Sequence, residues 1–301
     1  MKASNVYAFA LKKSPSYNIL DYFQISDFDN NYLVKFIKNI KMNLLELTKK
    51  VEWKDLKKLS VKEMLIENNI SLPWLFISLF LAYKGYYWAA LPFSGFYFLT
   101  ALRQVHNGFH NSLGTGKFLT WLSMYLNSIS MMASIHAVKF NHIRHHKYCL
   151  SEEDYEGKSA SMKWYEAILY GPKHLFLIHW MTFKLANKNY KKNMFLELIS
   201  IAVFVFIAFY FQFDFLIYHI LIMFFGELLM SFFAVWTVHH DTHENPNIAR
   251  TQRGFWKNKL TFSMFYHMEH HLFPAVPTIK LPELAERIDK VLPELNKKQT
   301  F

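Results

Sequence analysis

Eleven of the fifteen histidines in the chain fall into four short clusters. HNGFH holds His106 and His110, HIRHH holds His142, His145 and His146, HHDTH holds His239, His240 and His243, and HMEHH holds His267, His270 and His271. A single imidazole can shuttle a proton, share a hydrogen bond or ligate a metal, and spacing decides between these roles. His106 and His110 stand four residues apart, so on a helix both rings project from one face. The two H-x-x-H-H boxes repeat that geometry at three and four residues and present their nitrogens to one side. Together these three clusters offer eight imidazoles, and HHDTH adds at least one more. That is too many for one metal ion and suits two, each with four or five ligands. Imidazole binds zinc, copper, nickel and iron alike, so ligand type does not choose the metal.

The other histidines, His136, His174, His179 and His219, stand alone and read as packed or surface residues. Cys149 is the only cysteine, which excludes an internal disulfide and any multi-thiolate zinc or iron–sulfur site.

Composition narrows what positions the clusters. An apolar fraction of 52% with 30 Phe exceeds the range of ordinary soluble domains and points to a membrane protein. Net charge is +11, and without a nucleic-acid motif an anionic membrane surface is the partner this implies. Two apolar blocks run from Ser71 to Arg103, broken near Lys84 and Gly85, and from Met194 to Val238, broken near Gln212 to Asp214. Each predicts a helical hairpin, giving four spans at about 71–85, 87–105, 194–212 and 215–238. The fold class expected is an all-α integral membrane protein, its two hairpins carrying a cytoplasmic helical cap that holds a histidine-rich two-metal site. The lysine-rich residues 1–70 form a cytoplasmic N-terminal region lacking a secretory signal, and 71–301 form the membrane domain. SVKE at Ser60 to Glu63 predicts a capping box opening the first membrane helix. The stretches 118–138 and 164–183 carry polar residues and predict interfacial helices rather than spans. With both lying on the surface, all four histidine clusters emerge on one side, and both termini are cytoplasmic.

The order HNGFH, HIRHH, HMEHH, with apolar hairpins between, resembles the membrane fatty acid desaturase superfamily, which includes hydroxylases and ketolases. HMEHHLFPAVP followed by LPELAERID is similar to the C-terminal part of many desaturases, and the likeness runs from about residue 70 to 295. It implies two non-haem iron ions, O2 as co-substrate, a lipid acyl chain as substrate and insertion of a double bond. Electrons would come from a separate donor of ferredoxin or cytochrome b5 type. Carried over by position, the implied ligands are His106, His110, His142, His145, His146, His267, His270 and His271. In the fourth cluster His239 and His243 have the family's spacing, and His240 competes with them. A hydroxylase or ketolase on the same scaffold shares the first hydrogen abstraction and is the alternative. A metal transporter or sensor would place its polar ligands near the midplane of the spans, whereas these clusters lie at span ends.

Four further groups carry expectations. Glu227, a carboxyl inside the last span, is expected to serve either the site or packing. Glu269 and Asp241 are expected to orient ligand imidazoles. The acidic run SEEDYEG after the second box reads as a solvated loop rather than part of a site. Arg144 and Lys147 suit a headgroup or an acidic electron carrier.

Overall fold

The first helix opens where Ser60 and Glu63 meet. The Ser60 hydroxyl accepts from the Glu63 amide at 3.3 Å, and the Glu63 carboxylate accepts from the Ser60 amide at 2.8 Å, which is the expected capping box. The computed structural model describes residues 49–242, 249–291, 293 and 299–300, and among them it is helical. The described part of the expected N-terminal region is therefore 49–70.

Helices α1 (Val61–Asn69) and α2 (Leu72–Tyr83) follow one another with a slight break, and Pro73 sits in the first turn of α2. Together they make a 23-residue run, Val61–Tyr83, long and apolar enough to cross a membrane. The expected span at 71–85 is too short alone, because α2 has only 12 residues; the crossing length comes from α1. Gly85, with φ of 80°, turns the chain into α3 (Tyr87–Phe109). α3 is 23 residues long, but Arg103, Gln104, His106 and Asn107 occupy its last turns and are buried, which lowers its apolarity. α8 (Lys188–Tyr210) is the second continuous apolar helix, and α9 (Asp214–Leu228) passes the same test only with the segment after it, bent by 41°. Length and composition thus give two spans, or three with the bent pair, where four were expected. α4 (Lys117–Met131) and α7 (Gly171–Leu185) have 15 residues each, about 22 Å of helix and short of a bilayer core.

The core is built where these helices cross. Tyr97, Ala101 and Val105 of α3 pack on Met124 and Met131 of α4 and on Met223 of α9. α6 (Trp164–Leu169) leads into α7, whose first residue, Gly171, meets the end of α9 so closely that a Cβ there would overlap the Leu228 carbonyl. A second core joins Val51 and Leu56 to the C-terminal α12 (Leu281–Val291), through Leu281, Leu284, Ala285 and Ile288. Between them lie α10 (Phe255–Leu260) and α11 (His267–Leu272).

A buried polar knot fastens these layers beside the first histidine box. Glu67 of α1 is fully buried and receives Nε and Nη2 of Arg103, Nδ2 of Asn107 and the amide of Ile279. Asn107 in turn accepts the amide and hydroxyl of Thr278 at 3.0 and 2.8 Å. Both oxygens of that carboxylate are used, which is the condition for burying an ion pair.

Candidate metal centre

Helix α5 (Ile135–Tyr148) carries the second box, and its N-terminus is fixed by a carboxylate from α8. Glu197 accepts from the Ser134 hydroxyl at 2.6 Å, the His136 amide at 3.1 Å and His136 Nδ1 at 2.6 Å. Midway along α5, Asn141 donates to Ile178 O and Thr182 Oγ1 of α7. His136 and His179 are therefore packed, hydrogen-bonded residues as expected, His179 accepting from the Ser134 amide at 3.3 Å. His219 is buried in α9 and donates to Ser130 O at 2.8 Å.

With α5 fixed, nine imidazoles from four segments converge as two groups. His106, His110, His142 and His270 place one nitrogen each within 4.8 Å of one another, and so do His145, His239, His267 and His271. His146 completes the first group: its Nε2 lies 3.1 Å from His142 Nε2 and 2.9 Å from His270 Nε2. The helical spacing explains the division. Residues four apart share a site, as His142 with His146 and His267 with His271, whose rings stand 4.7 Å apart in each pair. The member three residues along, His145 or His270, swings to the other site, with centroids about 6 Å from the first histidine of its box. Each H-x-x-H-H box thus feeds both sites instead of one side only, and His146 stacks on His271 at 4.3 Å as the wall between them.

In the fourth cluster, His239 points inward, with Nε2 3.0 Å from both His145 Nε2 and His267 Nε2. His240 turns away, stacked on Trp236 at 4.0 Å and donating from Nδ1 to the Trp236 carbonyl. His243 lies outside the described residues. A π-helical turn, Ser231–Trp236, sets this choice, and it is pinned by Ser231 Oγ to Ala167 O, Ser159 Oγ to Ser231 O and Trp236 Nε1 to Met162 O.

The acidic loop after the second box is not a solvated loop. Asp154 and Glu156 reach back, with Asp154 Oδ2 2.7 Å from His145 Nδ1 and Glu156 Oε1 2.9 Å from His142 Nδ1. Asp154 is buried and also accepts the amides of Leu150 and Gly157. Spacing alone could not flag these acids, yet each lies within three residues of Gly157, the turn that returns the loop to the site. Glu269 and Asp241 were expected to orient imidazoles and do not. Glu269 holds Arg253 at 2.6 Å and Thr251 at 2.7 Å, while Asp241 is exposed and pairs with Arg250. Arg144 packs against Phe140, Tyr148 and Tyr155.

This donor set fits metal. With Nδ1 of His142 and His145 facing carboxylates, those nitrogens carry the protons and the Nε2 lone pairs turn inward. Neutral imidazoles whose Nε2 atoms sit about 3 Å apart repel one another unless a cation lies among them. Burial, reinforced by the neighbouring imidazoles, holds His146, His267, His270 and His271 well below the usual histidine range, so they stay neutral and ligating. His145 differs: burial opposes its charge, but the charge and hydrogen bond of Asp154 outweigh that and raise it. Among the described residues the donors gathered in the two groups are all imidazoles, which suits a borderline transition metal.

Among curated proteins and solved structures, nothing matches the chain. Comparison with protein families matches residues 72–300, which run from α2 to beyond α12 and include all four histidine clusters, to fatty acid desaturase. The chain therefore belongs to the fatty acid desaturase family, and its oxidoreductase chemistry is of the desaturase or hydroxylase type.

Proposed function

We propose that this chain is an O2-dependent di-iron desaturase that inserts a double bond into a lipid acyl chain. The observation that carries this is the division of nine imidazoles into adjoining groups of five and four, with no thiolate or carboxylate among the gathered donors of the described residues. His106, His110, His142, His146 and His270 would hold one iron, and His145, His239, His267 and His271 the other. Bound there, two iron ions supply with O2 the oxidising power to take hydrogen from an unactivated methylene. The protein contributes rigidity and dryness. Asp154 and Glu156 hold two ligand rings in one tautomer, and the helix packing excludes water from the centre.

The membrane is the source of substrate, and the exposed apolar faces of α2 and α8, with Phe76, Phe80, Val203 and Phe206, suit contact with lipid chains. The reducing electrons come from a separate protein of ferredoxin or cytochrome b5 type, since the chain has one cysteine. The lysine-rich N-terminal region, the histidine clusters and both termini lie on the cytoplasmic side.

The test is expression in a host with a suitable reductase, followed by metal analysis and mass spectrometry of total lipids. About two iron ions per chain and products lighter by two hydrogens support the reading. Products heavier by one oxygen make the enzyme a hydroxylase; one zinc and no iron removes the di-iron reading altogether. A reporter fused after Phe301 that matures only outside the cytoplasm would refute the topology.

A further inference from the structure

Between His239 and the third box the chain projects a short helix, α10 (Phe255–Leu260), with unusual exposure. Phe255 is 70% exposed, Trp256 68% and Leu260 61%, and the exposed Lys257 and Lys259 stand between them. Only Asn258 points inward, where its side chain donates to Gln252 O at 2.7 Å. The helix is therefore a knob, rooted through one residue, whose surface is aromatic, aliphatic and cationic.

Its root places it against the spans. Phe262, just after the helix, packs edge-on to Trp74 of α2 and Phe96 of α3 at about 6 Å, and its carbonyl accepts Arg103 Nη1 at 2.7 Å. Phe262 and Ser263 both take left-handed backbone, φ 51° and 64°, which reverses the chain and holds the knob beside α2. On the other flank, Arg253 grips Glu269 of the third box and Asp289 of α12. The knob thus bridges the membrane-crossing helices and the helix that carries His267, His270 and His271.

We infer that α10 is a membrane-interface anchor, its rings set among the upper acyl chains and its two lysines on anionic lipid headgroups. This rests on the reading of the chain as a membrane protein. The occupant follows from charge and chemistry together. A cytoplasmic protein partner would bury three large apolar residues only by meeting two lysines as well, whereas an acidic bilayer surface offers apolar depth and phosphate within a few ångströms. Trp256 has the amphipathic indole that favours this boundary. Through Arg253 the anchor fixes the depth of the third box relative to the lipid, so that an acyl chain meets the metal centre at a constant height.

The test uses the full iron-loaded chain in nanodiscs of phosphatidylcholine, with or without phosphatidylglycerol, carrying a nitroxide at the headgroup or deep in the acyl chain. The fluorescence of the protein minus that of Trp256→Phe isolates Trp256. The anchor predicts that this signal is quenched more by the headgroup nitroxide than by the deep one and is shielded from iodide. It also predicts that a Lys257→Glu, Lys259→Glu variant keeps its iron but loses the difference between anionic and neutral discs. A Trp256 signal open to iodide and untouched by either nitroxide overturns it, as does shielding that appears only with two chains per disc. Failure of the chain to enter discs would refute the membrane reading itself, whereas entry with an unquenched Trp256 removes only the anchor.

Discussion

Gly157 donates its amide to Oδ1 of Asp154 at 2.8 Å, while Oδ2 of the same carboxylate faces His145 Nδ1 at 2.7 Å. A Cβ on Gly157 would overlap that carboxylate. Gly157→Ala should therefore push Asp154 off His145 and release the ring that serves the second site. Asp154→Asn keeps the shape but not the charge that fixes the tautomer. Both variants should fold and lose about 10- to 100-fold in metal affinity at one site of the two. Mössbauer spectra showing two unaltered irons would contradict this.

The knot at Glu67 gives a different expectation. Glu67→Gln leaves the buried Arg103 short of a counter-charge, and removing one partner of such a pair costs about 3–5 kcal/mol. Arg103 stands one turn before Asn107 and beside His106, so lowered thermal stability should come with partial iron loss from the first group. Stability within about 1 kcal/mol of the parent would mean that water replaces the lost charge.

His270 and His219 are both buried imidazoles, but only the first lies in a cluster. His270→Ala should abolish turnover and release iron. His219→Ala removes a hydrogen bond to Ser130 O and leaves a cavity, costing about 2 kcal/mol while iron stays bound. Equal iron and equal activity in the two variants would remove the clusters from catalysis.

His174 adds a pH signature. Burial lowers it to about 4, even though Glu156 and Asp154 nearby pull the other way. Below pH 6.5 the unfolded chain takes up a proton that the folded protein refuses until about pH 4, so stability falls as pH drops through that window. The full effect is about 3 kcal/mol. In His174→Gln, melting temperature should depend less steeply on pH between 6.5 and 4. Parallel curves for the two proteins would show that His174 is not the group responsible.

The metal centre was legible in the sequence because imidazoles repeated at helical spacing, in four separate segments, have little use except to share a cation. Two ions with four or five ligands each is also what the two groups provide. The carboxylates were not legible. Asp154 and Glu156 sit in a run of acids that resembles any solvated loop, and only the return of the chain at Gly157 turns them inward. Glu67 was hidden for another reason: its partners Arg103 and Ile279 are far away in sequence, and no local pattern joins them. Glu269 shows the converse, where closeness in sequence to His270 suggested a contact that Arg253 takes instead. The hairpins followed from apolar runs. Their lengths did not, since α1 is too polar to be read as part of a span and becomes one only by continuing into α2.

The π turn Ser231–Trp236 has a consequence for how the ligand set could arise and change. Such a turn holds one residue more than an α-helical turn, so deleting a single residue within it would restore regular helix and rotate all that follows by about 100°. His239 would leave the second group, and the next residue in the chain is also a histidine, His240. The paired histidines make this centre tolerant of a one-residue slip, so a lineage could gain or lose the bulge by one codon and still present an imidazole to the metal.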